Sequence, residues 1–284
     1  MHCESSSVVV LDCLFLTNTA GSGAGAWLEG TSRPVFRRCS FEGNSASGMG
    51  GAVATDAGVD LQLLDCEFDG NVGSSGGAIC IAASGAGIRG CSITGSVAEF
   101  GGGICMMSAT GVAIARTTIE LGEASFQGGG LYASDSSFDV CGSTVTGNDA
   151  TIQGGGVFLL NSGASFDRCA IGDNWSGGAG GGLYVNNSDV VVSASEISGN
   201  GVAVHVQGYA RSSVDARWNW WGDASGPYHP TANPSGSGDE VTGGVHFEPW
   251  NATSSCEELP AAVRTSWGSI KAAYRGQAGL EERP

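Results

Sequence analysis

The sequence predicts an all-β solenoid of about eight 26-residue coils closed by a C-terminal cap, and three phased observations predict it. Asparagine recurs as Asn18, Asn44, Asn71, Asn148, Asn174 and Asn200, with Ser96 and Gly122 in the two gaps, at successive spacings of 26, 27, 25, 26, 26, 26 and 26. A glycine cluster keeps the same beat at Gly50-Gly51, Gly76-Gly77, Gly101 to Gly103, Gly128 to Gly130, Gly154 to Gly156 and Gly180 to Gly182. Five residues before each Asn position stands a small residue (Cys13, Cys39, Cys66, Cys91, Thr117, Ser143, Cys169, Ser195), and two residues after that an apolar one (Phe15, Phe41, Phe68, Ile93, Ile119, Val145, Ile171, Ile197).

Taken in chain order, each copy opens on an alternating pair, as in Val8/Val10, Pro34/Phe36, Leu61/Leu63, Ala86/Ile88, Val112/Ile114, Phe138/Val140, Ala164/Phe166 and Val190/Val192. Period-two alternation buries one face of a strand. Two residues intervene before alternation resumes at the Cys-x-Phe positions, which marks a corner. A third pair follows the glycines: Val53/Thr55, Ile79/Ile81, Ile104/Met106, Leu131/Ala133, Val157/Leu159 and Leu183/Val185. Helical periodicity is absent from this region. Three short strands per copy, repeated in register, describe a coil whose apolar face only a stack can bury. Eight coils at the ~4.8 Å strand spacing rise about 40 Å.

Like residues then form ladders along the axis. Asn suits a recurring turn because it tolerates the left-handed conformation and bonds nearby backbone, and stacked amides bond one another. Gly supplies positive φ and close backbone approach at another corner. Inward Cys behaves as a small hydrophobe, exchanged for Thr or Ser where the ladder changes.

Composition agrees. Glycine accounts for 49 of 284 residues, yet there is no Gly-X-Y period, which excludes a collagen. With 41 % hydrophobic residues the chain is built to fold rather than to stay disordered. A net charge of −16 repels polyanions, which excludes nucleic acid as a partner. No apolar run approaches the ~20 residues of a membrane-spanning helix, and Met1-His2-Cys3-Glu4 does not open a signal peptide.

The glycine cluster followed by an aliphatic (Gly-Gly-Ala-Val at 50–53, Gly-Gly-Ala-Ile at 76–79), together with Phe-x-x-Asn at 15–18, 41–44 and 68–71, resembles the repeats of chlamydial polymorphic outer membrane proteins. The resemblance covers about residues 1–210 and implies a right-handed parallel β-helix of the pectin-lyase-like kind. It also implies export, so the expected location is secreted or on the outer cell surface. It speaks far more to fold than to function.

Three segments are expected: β-helix repeats over 1–217, a capping segment over 218–250, and a tail over 251–284. Fewer than one coil's residues precede Asn18, so further coils or domains are expected upstream. The cap carries Trp218-Asn219-Trp220-Trp221-Gly222, Gly226-Pro227, Asn233-Pro234 and Phe247-Glu248-Pro249-Trp250, similar to closing segments that follow bacterial β-helix repeats. Its aromatics would cover the apolar floor of the last coil. In the tail, Trp267, Ile270 and Tyr274 would share one face of a short helix.

The interior ladder Cys13, Cys39, Cys66, Cys91 is expected to hold free thiols, because parallel neighbours point the same way and a disulfide needs convergent side chains. Cys80 and Cys105 share an outward template position, where a bridge is conceivable; Cys3, Cys141, Cys169 and Cys256 have no deducible partner. No C-x-x-C occurs, and no metal or cofactor is expected.

Catalytic residues are not evident. Two carboxylates at fixed separation would be needed for glycoside hydrolysis, and the Asn-Thr-Asp, Asp-Asp, Gly-His-Gly and Arg-Ile-Lys signatures of polygalacturonases are missing. Asp12, Arg38 and Asp65 stack on adjacent coils and read as an exposed charge ladder. Tyr132, Phe158 and Tyr184 form an outward aromatic row, which reads either as a sugar-stacking stripe or as rings that stack on each other beneath the Gly-rich loops. Trp220 and Trp221 in the cap are the alternative ligand-binding residues. The reading is a non-catalytic secreted or cell-surface β-helix for adhesion, binding or a passenger stalk, its partner a polysaccharide or a surface protein. The alternative is a carbohydrate-active enzyme, of lyase or glycoside hydrolase type, with a degenerate or missing site.

Overall fold

A computed structural model describes residues 1–207 and 212–254 of the chain, and every regular element among them is a β-strand. The third coil shows the plan. Val53–Thr55, Asp60–Leu64 and Glu67–Asp69 lie on three different sheets, and each pairs in parallel with its counterparts in neighbouring coils. Repetition of that plan produces an 11-stranded, a 10-stranded and an 8-stranded sheet wrapped round one core, a parallel β-helix of about eight coils as the sequence predicts. Register is kept coil after coil: Phe41, Phe68 and Ile93 pair in line, and the rings of Phe15, Phe41 and Phe68 stack at 4.6 and 4.8 Å. These distances equal the strand spacing, so the core gains ring stacking at no cost to backbone pairing.

A fourth short strand, absent from the sequence reading, lies between the Asn and Gly positions. It is formed by Val97–Phe100, Glu123–Gln127, Asp149–Ala150 and Trp175–Ser176. Thr19–Ala20 and Ser45–Ala46 make a second, two-stranded piece of the same kind. Strands of two to five residues with mixed side chains carry too little alternation to be read from sequence.

Each corner is turned by one left-handed residue. Between Asp60–Leu64 and Glu67–Asp69 it is Asp65, at φ +53°, with Arg38 at +51° below and Gly90 at +65° above. After Glu67–Asp69 it is Gly70 at +59°, one residue ahead of Asn71. The expectation that the template Asn itself adopts this conformation is therefore incorrect; none of the six has positive φ. The residue before it takes the strain, which leaves the amide free to turn inward.

Inside, the amides form a continuous rail. Asn44 donates its N–H and Nδ2 to Asn71 Oδ1 at 3.0 and 3.1 Å and also donates Nδ2 to Phe15 O in the coil below. The rail stops at Ser96, resumes where Gly122 N–H donates to Asn148 Oδ1, and runs on through Asn174 and Asn200. Every buried main-chain polar group needs a partner, and this arrangement supplies one from the adjacent coil. The Thr and Ser that replace Cys have the same office: Cys91 N–H donates to Thr117 Oγ1, Thr117 N–H to Ser143 Oγ, and Cys169 N–H to Ser195 Oγ. A further hydroxyl rail, Ser136, Ser162 and Ser188, was not visible in the sequence reading.

Beyond Asn200 the sheets continue. Val202–Val206 pairs with Gly238–Thr242, and Ser213–Asp215 with Val245–His246. The sequence reading ends the repeat before Trp218, and the template continues through residues 218–221. Asn219 occupies the Cys/Ser position, accepting the Ser195 N–H at 2.8 Å, and Trp221 occupies the Phe/Ile position as the last fully buried ring of the core. Asp239 ends the Asn rail: its carboxylate accepts from Gly199 N–H, Asn200 N–H and Asn200 Nδ2. The tail helix and Cys256 lie outside the described residues.

Candidate binding surface

The outer face of the 11-stranded sheet carries one residue per coil in strict register: Trp27, Ala54, Cys80, Cys105, Tyr132, Phe158, Tyr184 and His205. Tyr132, Phe158 and Tyr184 stack face to face at 5.3 and 5.2 Å, and His205 extends the stack at 5.1 Å. The expected solvent exposure is not found. Phe158 is 3 % and Tyr184 2 % exposed, and only Tyr132 is half-buried. Rings one strand spacing apart satisfy one another, which is the second of the two readings given above. On one side the chain between the Asn and Gly positions overhangs them, with Phe100 5.2 Å from Tyr132. Cys80 and Cys105 also face away from the core yet are wholly buried, and all described cysteines are free thiols, so the conceivable bridge between them is absent.

At the cap, Trp221 is core and Trp220 is half-buried, pairing with Glu196; the neighbouring Trp218 is 59 % exposed. Asp12 and Arg38 make the expected surface pair, bidentate at 2.7 and 2.7 Å. Fully solvated as it is, the pair carries little stability.

A different row is exposed. Successive register partners Val72, Val97, Glu123, Asp149 and Trp175 run up the edge formed by the short fourth strands, with Phe126 and Ile152 beside them. Trp175 is 58 %, Phe126 44 % and Ile152 40 % exposed. Phe126 stacks on Phe100 at 5.5 Å, and Phe100 rests on Tyr132, so the buried ring stack underpins this edge. Burial, and then the neighbouring Glu123, push the Asp149 carboxyl above the ordinary carboxylate range. These residues stand between the Asn and Gly landmarks, at positions whose residue type is not kept along the stack, so repeat analysis passes over them.

One open cavity of about 580 Å³ gathers acid and base groups at the C-terminal end, lined by Asp215, Arg217, His246 and Glu248. Arg217 grips Asp215 through Nε and Nη2 at 2.8 and 2.6 Å and holds its carboxyl below the usual range. Among the described residues no group of three or more His, Cys, Asp or Glu is placed to hold a metal ion, and no helix is long and apolar enough to cross a membrane.

The model of the Chlamydia polymorphic membrane protein repeat matches the chain twice, at residues 38–56 and 65–82. Each match runs from the left-handed corner at Arg38 or Asp65 through the Phe and Asn positions and the glycine pair. The chain is thus a β-helix repeat protein that resembles those repeats. No curated protein and no solved structure matches it.

Proposed function

We propose that the chain is a non-catalytic, secreted or cell-surface β-helix that acts as an adhesive, stalk-like scaffold and engages a polysaccharide or surface protein along its exposed edge. The observation that carries the reading is the row Phe126, Ile152 and Trp175, apolar and open to solvent, interleaved with Glu123 and Asp149 along one edge of the stack. Exposed aromatics beside acceptors suit a sugar face or an amphipathic protein patch. In this reading Tyr132, Phe158 and Tyr184 position the edge, and Trp220 offers a second contact at the cap. Likeness to polymorphic membrane protein repeats supports surface display.

The test is a glycan array and a cell-adhesion assay on the intact chain, the joint variant Phe126→Ala/Trp175→Ala and the single variant Trp220→Ala. Binding lost only in the joint variant supports the edge. Binding unaffected by any of these changes, or absent throughout, refutes it. The cavity at Asp215, Arg217, His246 and Glu248 favours a second reading, a carbohydrate-active site. Sugar released from pectin or alginate, and stopped by Glu248→Gln, would establish that reading instead.

A further inference from the structure

The exposed edge is acidic as well as apolar. Glu99, Glu123 and Asp149 stand exposed on its short strands, and none of them belongs to an ion pair among the described residues. Glu123 and Asp149 are direct register partners, and like charges opposite each other on neighbouring strands repel. Trp175 stands next above Asp149. Beside it Gly177 and Gly178 are exposed main chain without side chains: the Trp175 ring reaches within 3.5 Å of where a Gly177 Cβ would stand, and a Cβ on Gly178 would meet Ile152 O. The edge thus offers an apolar step at Trp175 and Ile152, next to two carboxylates that lack a cation.

The same chain carries a segment of complementary character. In a chain of net charge −16, the stretch from Leu259 to Leu280 has Arg264, Lys271 and Arg275 and no carboxylate. The helix expected there puts Arg264 and Lys271, three and four residues from Trp267, on the face that bears Trp267, Ile270 and Tyr274. Trp267 to Tyr274 would span ~10 Å of helix, which matches the two strand spacings between the coils of Phe126 and Trp175. The segment also starts near enough. Ser254 donates its hydroxyl to Glu196, which stands one coil above Ala170. Five residues lead from Ala170 to Trp175, so Ser254 lies within about 25 Å of the top of the edge. Residues 255–266 can span about 40 Å, enough to bring Trp267 to Trp175.

We propose that residues 259–280 of the same chain occupy the exposed edge, with Trp267, Ile270 and Tyr274 against Phe126, Ile152 and Trp175 and with Lys271 beside Glu123 and Asp149. A cation placed there relieves the repulsion between the two stacked carboxylates. Two copies meeting edge to edge would set acid against acid, whereas a tethered segment meets the edge at an effective concentration in the millimolar range. The inference rests on the edge being a binding surface, as proposed above, and makes the chain's own segment its resident occupant. An outside partner must displace it, and an edge covered nine-tenths of the time binds that partner about tenfold more weakly.

Lys271 is the only lysine of the chain, and the Met1 amino group, which donates to Gly25 O, lies at the opposite end of the stack. The experiment treats the dilute full chain with a water-soluble carbodiimide, which joins an amine to a carboxylate in ion-pair contact, and maps the product by peptide mass spectrometry. Lys271 should be joined to Glu123 or Asp149 within one chain, and added salt should lower the yield. Glu123→Gln/Asp149→Asn should abolish this product, and Phe126→Ala/Trp175→Ala should reduce it about tenfold through lost apolar burial. All four positions are exposed, so both variants should fold, with circular dichroism as the check. Lys271 joined only to Glu257, Glu258, Glu281 or Glu282, joined to the edge of a second copy in a mixture of isotope-labelled and unlabelled chains, or joined equally well in both variants would each overturn the proposal. A ligand found on the array with no such product refutes this inference alone; the product with no ligand on the array refutes the outside partner alone.

Discussion

Replacing Asn174 with Leu should destabilise the β-helix by about 3 kcal/mol, a figure set by the bonds it removes. Asn174 is 2 % exposed. Its Oδ1 accepts the N–H and Nδ2 of Asn148 at 3.0 and 2.9 Å, and its Nδ2 donates to Val145 O and Asn200 Oδ1, both at 3.0 Å. Leucine is close to it in volume but makes none of these bonds. Each is worth about 1 kcal/mol net, and the Asn148 N–H, left buried without an acceptor, costs about 1–2 kcal/mol more. Burying the extra apolar surface of leucine returns about 2 kcal/mol. Asn18 provides the control: it is exposed at the foot of the rail and its side chain only donates, through Nδ2, to Asn44 at 2.8 Å. Asn18→Leu should therefore cost under about 1 kcal/mol. Asn71→Leu should fall between them, because Ser96 above Asn71 offers no amide. Urea denaturation followed by circular dichroism measures all three, and about 3 kcal/mol corresponds to roughly 6–12 °C in Tm. Equal midpoints for the Asn174 and Asn18 variants would show that the rail is decoration rather than structure.

Four other outcomes are expected. Asp239→Ala removes the acceptor from Gly199 N–H, Asn200 N–H and Asn200 Nδ2 and should cost about 2–3 kcal/mol in the same assay. Burial outweighs those three donors and raises the Asp239 carboxyl above its unfolded value, so the native chain holds this proton more tightly; its contribution is complete below the unfolded value near ~3.9 and fades as pH rises through the native one, and Asp239→Asn should remove that part of the pH dependence. Gly77→Ala should cost about 2–3 kcal/mol or prevent soluble expression, since a Cβ there meets Gly102 O and Val97 N–H, whereas Gly111→Ala, with open space and only φ +68° to strain it, should cost about 1–2 kcal/mol. Thiol titration of the native chain should modify exposed Cys13 rapidly and Cys141 more slowly, while Cys39 and Cys169, the latter pushed up to about 12 by burial, should react only on unfolding. Tyr132→Ala/Phe158→Ala/Tyr184→Ala should lose the fold at ambient temperature, because large-to-small changes at buried rings cost about 3–5 kcal/mol each; a triple variant with parental Tm would mean that the rings are not held as a stack.

The parts of this fold legible in the sequence are those that repeat by translation. Phe15, Phe41 and Phe68 occur at one phase because they stack in one column, and Asn148, Asn174 and Asn200 do so because each amide is the partner of the next. Spacing alone therefore revealed the coil, its corners and its inward face. Periodicity does not say which residue of a corner bears positive φ, and the strain assigned to Asn71 belongs to Gly70. Nor does it say what lies over an outward face. Phe158 alternates with inward Val157 and Leu159 as a solvent-facing residue would, yet it is covered, because its cover comes from neighbouring rings and from chain whose sequence has no period. The same gap hid Cys80 and Cys105.

A repeat makes every coil alike inside, so whatever distinguishes one stretch of this surface from another must lie at positions that the template leaves free. Glycine pairs, Asn and the inward Cys or Phe vary only within what the stack accepts, Asn to Ser or Gly, Cys to Thr or Ser, Phe to Ile or Val; Gly77, for instance, has backbone of the next coil where a side chain would be. The edge from Val72 to Trp175 is under no such constraint, and along it the residue changes from valine in two coils to glutamate, aspartate and tryptophan in the next three. Such a sequence of unlike groups at fixed ~4.8 Å intervals can discriminate between partners in a way that a column of identical rings cannot. The ring column has the complementary task. It fixes the height of Phe126 through Phe100 and Tyr132, so that a contact made at the edge meets a surface already ordered and loses little further entropy on binding. On this argument Tyr132→Ala should weaken edge-dependent binding without touching a partner, through a disordered Phe126, and Tyr132→Phe should restore it. Fluorescence anisotropy with a ligand found on the array separates the two variants, and equal affinity for Tyr132→Ala and the parent would disconnect the column from the edge.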